Sequence, residues 1–225
     1  DGLEYRAVAI TRHAQTIVPS GDDRFENGDL VYVISSKAGL KKLYKYSGKK
    51  QFAVRDIMIL GGSRIGRKTA DALGNQHYVK LIEKDRQRSF NLSNRLSNTL
   101  VIHGDGTDME LLRQEGLEKM DAFIAVTGNA ETNILSCLLA KHLGVKRTIA
   151  EVENMDYIHL AENIGVDTII NKKLITASRI FRFTMSEEVS SIKCLTGTQA
   201  EVMEFVVKPD APATLGLLAE IDFPR

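Results

Sequence analysis

Residues 55–66 read RDIMILGGSRIG, a short apolar run that breaks into a glycine-rich turn. Behind the turn, apolar side chains recur at helical spacing from Ile65 to Leu73, and a second apolar run ends at Glu83, 22 residues after Gly61. A strand, a tight turn, a helix and a second strand ending in an acid form the layout that holds a dinucleotide at the edge of a parallel sheet. The pattern therefore predicts a fold class, a ligand class and a site together.

The residue types in this turn suit the chemistry of phosphate binding. Gly61 has no Cβ and can leave the strand in a tight turn, while Gly66 lets the next helix pack closely on the strand. The free N–H groups at the helix start attract phosphate, and Glu83 can accept hydrogen bonds from ribose hydroxyls. Ser63 departs from the G-x-G-x-x-G pattern and narrows the space for a pyrophosphate. A glycine turn without a ligand is the alternative interpretation.

Composition narrows the class of protein. The chain has 225 residues, of which 43% are hydrophobic and 26% charged, as is typical of a globular, soluble protein. The 30 basic and 29 acidic residues argue against nucleic-acid binding, and no apolar run approaches the ~20 residues of a membrane span. Cys137 and Cys194 are isolated, which suggests a reducing compartment. The scattered histidines lack metal-ligand spacing, so we expect no metal site.

Apolar runs alternate with helical patterns over residues 55–187. This alternation predicts an α/β domain with a Rossmann-like parallel sheet and helices on both of its faces. The predicted strands are 57–60, 78–82, 100–103, 122–126, 148–152 and 168–170. The predicted helices are 64–74, 86–96, 108–115, 130–143, 155–164 and 172–186.

The two flanks have a different pattern. Residues 1–46 predict a small, mainly β unit closed by a helix at 37–46, and residues 47–54 have the composition of a linker. Residues 188–225 lead into a further β segment, with a strand expected at 200–207. Each flank alone would expose strand edges, which favour association. We therefore expect the flanks to complement each other as one β unit, within one molecule or between neighbours; loosely ordered flanks are the alternative.

Several stretches together resemble the regulator-of-potassium-conductance family, also called the K⁺-transport nucleotide-binding domain family. They are ILGGSRIG at 59–66, HGDGT at 103–107 followed by Leu111 and Leu112, MDAFIAVT at 120–127, and ETN at 131–133 leading into AKHLGV at 140–145. The resemblance covers nearly the whole chain. It implies that residues 1–46 are the second half of a small C-terminal-type module, that 55–187 form a nucleotide-binding domain, and that 188–225 begin a second such module.

The resemblance also implies a set of nucleotide-binding residues. Arg64 would lie beside the phosphates, where a planar cation suits them, and Glu83 would bind the ribose. Asp105 and Gly106 would meet the adenine edge, and the residues after the fourth strand would line the far half of the cleft. The expected set is Gly61, Gly62, Ser63, Arg64, Ile65, Gly66, Glu83, Lys84, Gly104, Asp105, Gly106, Thr127, Gly128 and Asn129. The chain departs from the family at Glu151, where the family pattern implies a basic residue.

The function that the resemblance implies is regulatory. The protein would be a cytoplasmic nucleotide-sensing subunit of a bacterial Trk-type potassium uptake system, located at the inner face of the cell membrane. It would bind NAD(H), or alternatively ATP or ADP, and would form dimers that assemble into a ring beneath a membrane-embedded K⁺ channel subunit. The helix at 172–186, with Ile180, Phe181 and Met185 near its end, would cross to the second subunit of the dimer.

Two other function classes stay open at this stage. An NAD-dependent oxidoreductase would share the fold, but it needs an acid/base group that faces the nicotinamide. His103 is the candidate at a strand end, and its neighbours resemble the adenosine side of the cleft, so we expect no catalytic residues and no enzyme activity. The third class is an assembly module that has lost its ligand. The departures from the family pattern at Ser63 and Glu151 are the reason to consider it.

Overall fold

The structure is a computed structural model that describes residues 5–13, 15–48, 52–184, 189–194, 201–209 and 211–217. The chain divides into two units, one formed by Gln51–Lys173 and the other by Asp1–Lys50 together with Leu174–Arg225. The strands are β1 Tyr5–Arg12, β2 Gln15–Ile17, β3 Leu30–Ser35, β4 Asp56–Leu60, β5 Tyr78–Glu83, β6 Thr99–His103, β7 Ala122–Ala125, β8 Arg147–Glu151, β9 Thr168–Ile170, β10 Val189–Cys194 and β11 Glu201–Phe205. The α-helices are α1 Lys37–Tyr46, α2 Arg64–Leu73, α3 Arg86–Ser93, α4 Met109–Gln114, α5 Ala130–His142, α6 Met155–Asn163 and α7 Lys172–Thr184.

Six parallel strands form the central sheet, in the order β6-β5-β4-β7-β8-β9. Strand β4 comes first in the chain among these six and lies between β5 and β7, so the strand order reverses at β4. In open parallel sheets, ligands bind at such a reversal, beside the carboxyl ends of the strands. The predicted Rossmann-like α/β fold is confirmed, and the strands and helices expected within residues 55–187 are present with ends shifted by a few residues.

Alternate side chains of the central strands pack on opposite faces of the sheet, as the period of a strand requires. On one face, Met58 of β4 and Phe123 of β7 are fully buried and pack with side chains of α4, α5 and α6. On the other face, Ile59 of β4 and Leu81 of β5 are fully buried and pack with Ala70 of α2 and with apolar side chains of and just after α3. The helices therefore cover both faces of the sheet.

Each of the five helices that follow β4 to β8 begins with a side-chain cap. Ser63, Asp85, Asp108, Asn129 and Asn154 accept hydrogen bonds from backbone N–H groups in the first turn of α2, α3, α4, α5 and α6. Such caps satisfy N–H groups that have no partner within the helix. Because each helix follows the carboxyl end of a strand, all five capped starts lie along the same edge of the sheet.

The N-terminal flank forms a three-stranded antiparallel sheet in the order β2-β1-β3, followed by α1. The Arg12 guanidinium at the end of β1 donates to both carboxylate oxygens of Asp29, at 2.8 and 2.7 Å, and also to Glu26 and to the Arg24 carbonyl. The hydrogen bonds from Arg12 lower the pKa of Asp29 to about 2. This network holds the loop before β3 against β1, and the expected small antiparallel module is present.

The C-terminal flank forms a sheet of its own. The strand predicted at 200–207 is β11, but it pairs with β10, a strand that was not predicted, in a separate two-stranded antiparallel sheet. Within the described residues, neither strand joins the sheet of the N-terminal flank, although both flanks belong to the same compact unit. The complementation of the two flanks stays a prediction. Residues 185–188 and 218–225, including Met185, lie outside the described part of the chain.

Candidate functional site

The glycine turn after β4 is held between the two neighbouring strands. Gly61 has a φ of +104°, which favours glycine, and its N–H donates to the Ile82 carbonyl at the end of β5, at 2.9 Å. A Cβ at Gly61 would lie 2.9 Å from the Val126 oxygen and 3.0 Å from the Thr127 nitrogen, just past β7. Both conformation and space therefore require glycine here.

The Ser63 hydroxyl links this turn to the start of α2 and to the backbone just past β7. Its Oγ accepts from the Gly66 N–H at 3.3 Å and donates to the Val126 carbonyl at 3.0 Å. A Cβ at Gly66 would lie 1.9 Å from the Gly61 oxygen, so α2 can start this close to the strand only with glycine at that position. Arg64 is exposed in the first turn of α2, and Ile65 is half-buried.

Glu83 connects the end of β5 to the glycine turn. The side chain is buried, with 6% of the residue exposed. One carboxylate oxygen accepts from the Gly62 N–H at 2.8 Å, and the other accepts from the Asp85 N–H at 2.8 Å. Arg88 lies 3.6 Å from the same oxygen that Gly62 contacts. Glu83 thus fixes the turn through both of its oxygens, each of which can accept a second hydrogen bond.

The loop after β6 holds an ionised acid. Lys84 Nζ lies 2.6 Å from one Asp105 oxygen, and the other accepts from the Thr107 N–H and hydroxyl at 3.0 and 2.8 Å. These contacts, of which the one with Lys84 has the largest effect, lower the pKa of Asp105 to about 2. A Cβ at Gly104 would lie 2.3 Å from a methyl carbon of Leu111, and one at Gly106 would lie 1.9 Å from a methyl carbon of Leu60, so a larger residue at either position requires that leucine side chain to move.

The segment after β7 depends on a residue that the sequence reasoning did not include in the site. Asn133, which is 1% exposed, accepts from the N–H and hydroxyl of Thr127 at 3.0 and 2.6 Å. Its amide donates to the Thr127 carbonyl at 3.2 Å and to the Glu151 carbonyl at 2.8 Å. Asn129 caps α5 through the Thr132 N–H at 2.6 Å. The signal was present, since Asn133 lies at helical spacing with the buried Cys137 and Ala140.

A cavity of about 160 Å³ opens beside this segment, at the ends of β7 and β8. Buried Glu151, which is 4% exposed, forms an ion pair at 2.9 Å with Lys172. Lys172 also pairs with Glu153, and Lys173 lies 3.3 Å from Glu153. These contacts raise the pKa of Lys172 and lower that of Glu153. The cavity is lined by Thr127, Gly128, Ala130, Glu131, Glu151, Glu153, Asn154 and Tyr157.

The structure places all the expected residues at one edge of the sheet. They follow β4, β5, β6 and β7, four adjacent strands. Contacts join the glycine turn to Glu83, join Lys84 to Asp105, and bring Gly61 against Thr127. The edge thus offers helix-start N–H groups flanked by carboxylates, a combination suited to phosphates and ribose hydroxyls. No cluster of His, Cys, Asp and Glu suited to a metal ion is found among the described residues.

Family comparison agrees with this geometry. The TrkA-N domain model matches residues 57–172, more than half of the chain. The chain belongs to the TrkA-N domain family. The TrkA-C domain model matches residues 2–48 of this TrkA-N chain. The family resemblance carried by the motifs is therefore confirmed.

Curated relatives of the TrkA-N chain are potassium uptake proteins. Trk system potassium uptake protein trkA homolog 1 of Methanosarcina mazei is 31% identical over 96% of this chain and 54% of its own length. TrkA of Halomonas elongata is 29% identical over 99% of this chain and 49% of its own length. TrkA of Vibrio alginolyticus is 32% identical over 92% of this chain and 45% of its own length. The chain spans about half the length of these relatives.

Solved structures share the fold of the TrkA-N chain. The GsuK RCK domain has a TM-score of 0.55 and 21% identity, covering 78% of this chain and 38% of its own. The GsuK channel bound to NAD has a TM-score of 0.55 and 21% identity, covering 80% and 32%. The TrkA-N domain of the Escherichia coli inner membrane protein ybaL has a TM-score of 0.54 and 16% identity, covering 60% and 100%. Among the described residues of this chain, no helix is long and apolar enough to cross a bilayer.

Proposed function

We propose that this chain is the nucleotide-sensing part of a regulatory subunit of a Trk-type potassium uptake system. The observation that carries the proposal is the hydrogen bond of 2.8 Å between the Gly62 N–H and Glu83. It joins the turn that would bind phosphate to the acid that would bind ribose, at the point where the strand order reverses. The potassium uptake role in the proposal comes from the names of the relatives. NAD as the ligand is supported by a GsuK channel structure of the same fold that is bound to NAD.

The proposed ligand is NAD(H), with ATP or ADP as competing ligands. The N–H groups at the start of α2 and the exposed Arg64 would bind the phosphates. Glu83 would accept from the ribose hydroxyls through its remaining lone pairs. Asp105 and the backbone at Gly106 would contact the adenine edge, and residues 127–129 would line the second half of the cleft. The remaining proposed contacts are Gly61, Gly62, Ser63, Ile65, Gly66, Lys84 and Gly104.

The regulatory role follows from how a ligand shifts an equilibrium. A nucleotide that binds one inter-domain arrangement more tightly than another favours that arrangement in proportion to the difference in affinity. We propose domains at 1–46, 55–187 and 188–225 with a linker at 47–54, in a homo-oligomer of dimers assembled as a ring. The partner would be a membrane-embedded K⁺ channel subunit, and the location the inner face of the cell membrane.

Thermal unfolding with a panel of nucleotides tests the proposal. NAD⁺, NADH, ADP and ATP should each raise the melting temperature, since a ligand at 100 times its Kd stabilises the native state by about 2.7 kcal/mol. Ser63→Leu should abolish the shift, because the larger side chain blocks approach to the turn, whereas Ser63→Gly should retain it. Glu118→Gln, on the exposed 3₁₀ turn before β7, is the matched control. Unchanged nucleotide affinity in Ser63→Leu would mean that the phosphates bind elsewhere.

The regulatory proposal also expects no turnover. An oxidoreductase would need a proton donor facing the nicotinamide, and Tyr157 is the phenol that lines the cavity on that side of the cleft. NADH oxidation should therefore be measured with a panel of carbonyl substrates, on the chain and on Tyr157→Phe. Turnover that Tyr157→Phe removes would replace the regulatory proposal with an enzymatic one.

A further inference from the structure

The cavity at the ends of β7 and β8 lies next to the proposed phosphate turn. Thr127 lines the cavity, and its backbone nitrogen is 3.0 Å from where a Cβ of Gly61 would lie. Glu83 and Asp105 lie on the opposite side of β4, at the ends of β5 and just after β6. A dinucleotide whose pyrophosphate lies on the turn and whose adenosine lies toward Asp105 must place its other half in this cavity. The inference below rests on that proposed binding mode.

The walls of the cavity carry negative charge from three elements. Glu151 ends β8, Glu153 follows it, and Glu131 lies exposed in the first turn of α5. Ion pairs lower the pKa of Glu153. The uncharged part of the wall includes Thr127 and the phenol of Tyr157.

The lysines next to these acids are held in place by them. Lys172 lies 2.9 Å from Glu151 and also pairs with Glu153, while Lys173 lies 3.3 Å from Glu153. Moving Lys172 to a ligand phosphate would leave the buried Glu151 carboxylate without its counter-ion, which is costly. Neither lysine is among the residues that line the cavity. A group entering the cavity therefore meets the carboxylates first.

We infer that this cavity selects its occupant by charge, and that Glu151 and Glu131 are the specificity-determining residues. The pyridinium ring of NAD⁺ carries a positive charge, and the dihydronicotinamide ring of NADH is neutral. A third phosphate, as in ATP, adds negative charge beyond the pyrophosphate. The carboxylates attract the pyridinium ring of NAD⁺, neither attract nor repel the neutral ring of NADH, and repel the added phosphate of ATP. The cavity therefore senses the oxidised form of the dinucleotide.

Isothermal titration of the whole chain with NAD⁺, NADH, ADP and ATP tests this inference. ADP is the reference ligand, because it reaches the turn without entering the cavity. NAD⁺ should bind about threefold more tightly than NADH, and ATP about threefold more weakly than ADP, as expected for one partly screened charge. Glu151→Gln and the exposed Glu131→Gln should each bring both ratios toward one while leaving ADP affinity unchanged. Glu118→Gln, near the opposite ends of the strands, should change neither ratio.

The outcomes separate this inference from the proposed function. If ADP binds and both variants keep the wild-type ratios, or if NADH binds wild type more tightly than NAD⁺, charge selection is wrong while the nucleotide site stands. If none of the four nucleotides binds the wild-type chain, both are wrong. Should Glu151→Gln fail to fold, Glu131→Gln decides the question, because Glu131 is exposed and has no part in the buried ion pair.

Discussion

At the scale of single residues, Gly66 should be among the least replaceable positions. A Cβ there would lie 1.9 Å from the Gly61 oxygen, whereas a Cβ at Gly128 would have no atom within 4 Å. Gly66→Ala should therefore destabilise the domain by about 1–3 kcal/mol through overpacking, and Gly128→Ala should be near neutral. Urea unfolding midpoints measure the difference. Equal midpoints for the two variants would show that α2 can move away from β4 at little cost.

Glu83 should matter for stability before any ligand is present. Its two oxygens accept from the N–H groups of Gly62 and Asp85. In Glu83→Gln one of these N–H groups must face an NH₂ group, so we expect a loss of about 1–3 kcal/mol together with weaker nucleotide binding. Chemical denaturation of the ligand-free variant gives the first quantity and titration with ADP the second. A ligand-free stability equal to wild type would contradict the bracing role of Glu83.

The sequence predicted where these residues lie, but not what they bond to. The glycine pattern and the acid 22 residues after Gly61 located the turn and Glu83, because spacing along the chain determines which strand ends they occupy. The double hydrogen bond of Glu83, the two bonds of Ser63 and the role of Asn133 depend on contacts between segments distant in sequence. No local pattern encodes those contacts, so they had to come from the structure.

At the scale of elements, the link between β1 and the loop before β3 should respond to acid. Arg12 lowers the pKa of Asp29 to about 2, below the ordinary 3.8. The stabilisation is therefore fully present above pH 4 and is lost as the pH falls from about 4 to about 2. Hydrogen exchange of β1 and β3, corrected for intrinsic rates, should show protection falling in that window. Asp29→Asn should weaken the protection at neutral pH and remove its fall between about pH 4 and about pH 2. If the variant shows a fall of unchanged size, other acids cause it.

Strands and helices whose apolar residues form a clear run or recur regularly were predicted from the sequence, and a strand without such a pattern was not. The buried strands β4, β5 and β7 stand out as apolar runs between turns, since both faces of a parallel sheet are covered. Val189–Cys194, read VSSIKC, has no such run and was missed. Its partner Glu201–Phe205 was expected as a strand of a β unit that both flanks complete. A strand in a small antiparallel sheet obtains its stability from its partner, which a single segment of sequence does not reveal.

At the scale of the whole molecule, the apolar surface of α7 favours self-association. Leu174, Ile175 and Ile180 are 43%, 57% and 59% exposed, while the side chain of Phe181 and all of Met185 lie outside the described part of the chain. We expect a two-fold dimer, in which the same surface is used by both subunits. Light scattering at micromolar concentration should give twice the mass of 25.0 kDa. Ile180→Glu should give monomers, and a dimer that survives this change would place the interface elsewhere.

The position of β7 in the sheet has a consequence for the order of folding. Strands β4, β5 and β6 are adjacent both in the chain and in the sheet, so they can pair before β7 docks on β4. The Val126 carbonyl that orients Ser63 follows β7, so we expect the turn to be completed after the folding barrier. A nucleotide should then slow unfolding and leave the refolding rate nearly unchanged. In kinetic terms, the ligand would extend the lifetime of the native domain without accelerating its formation.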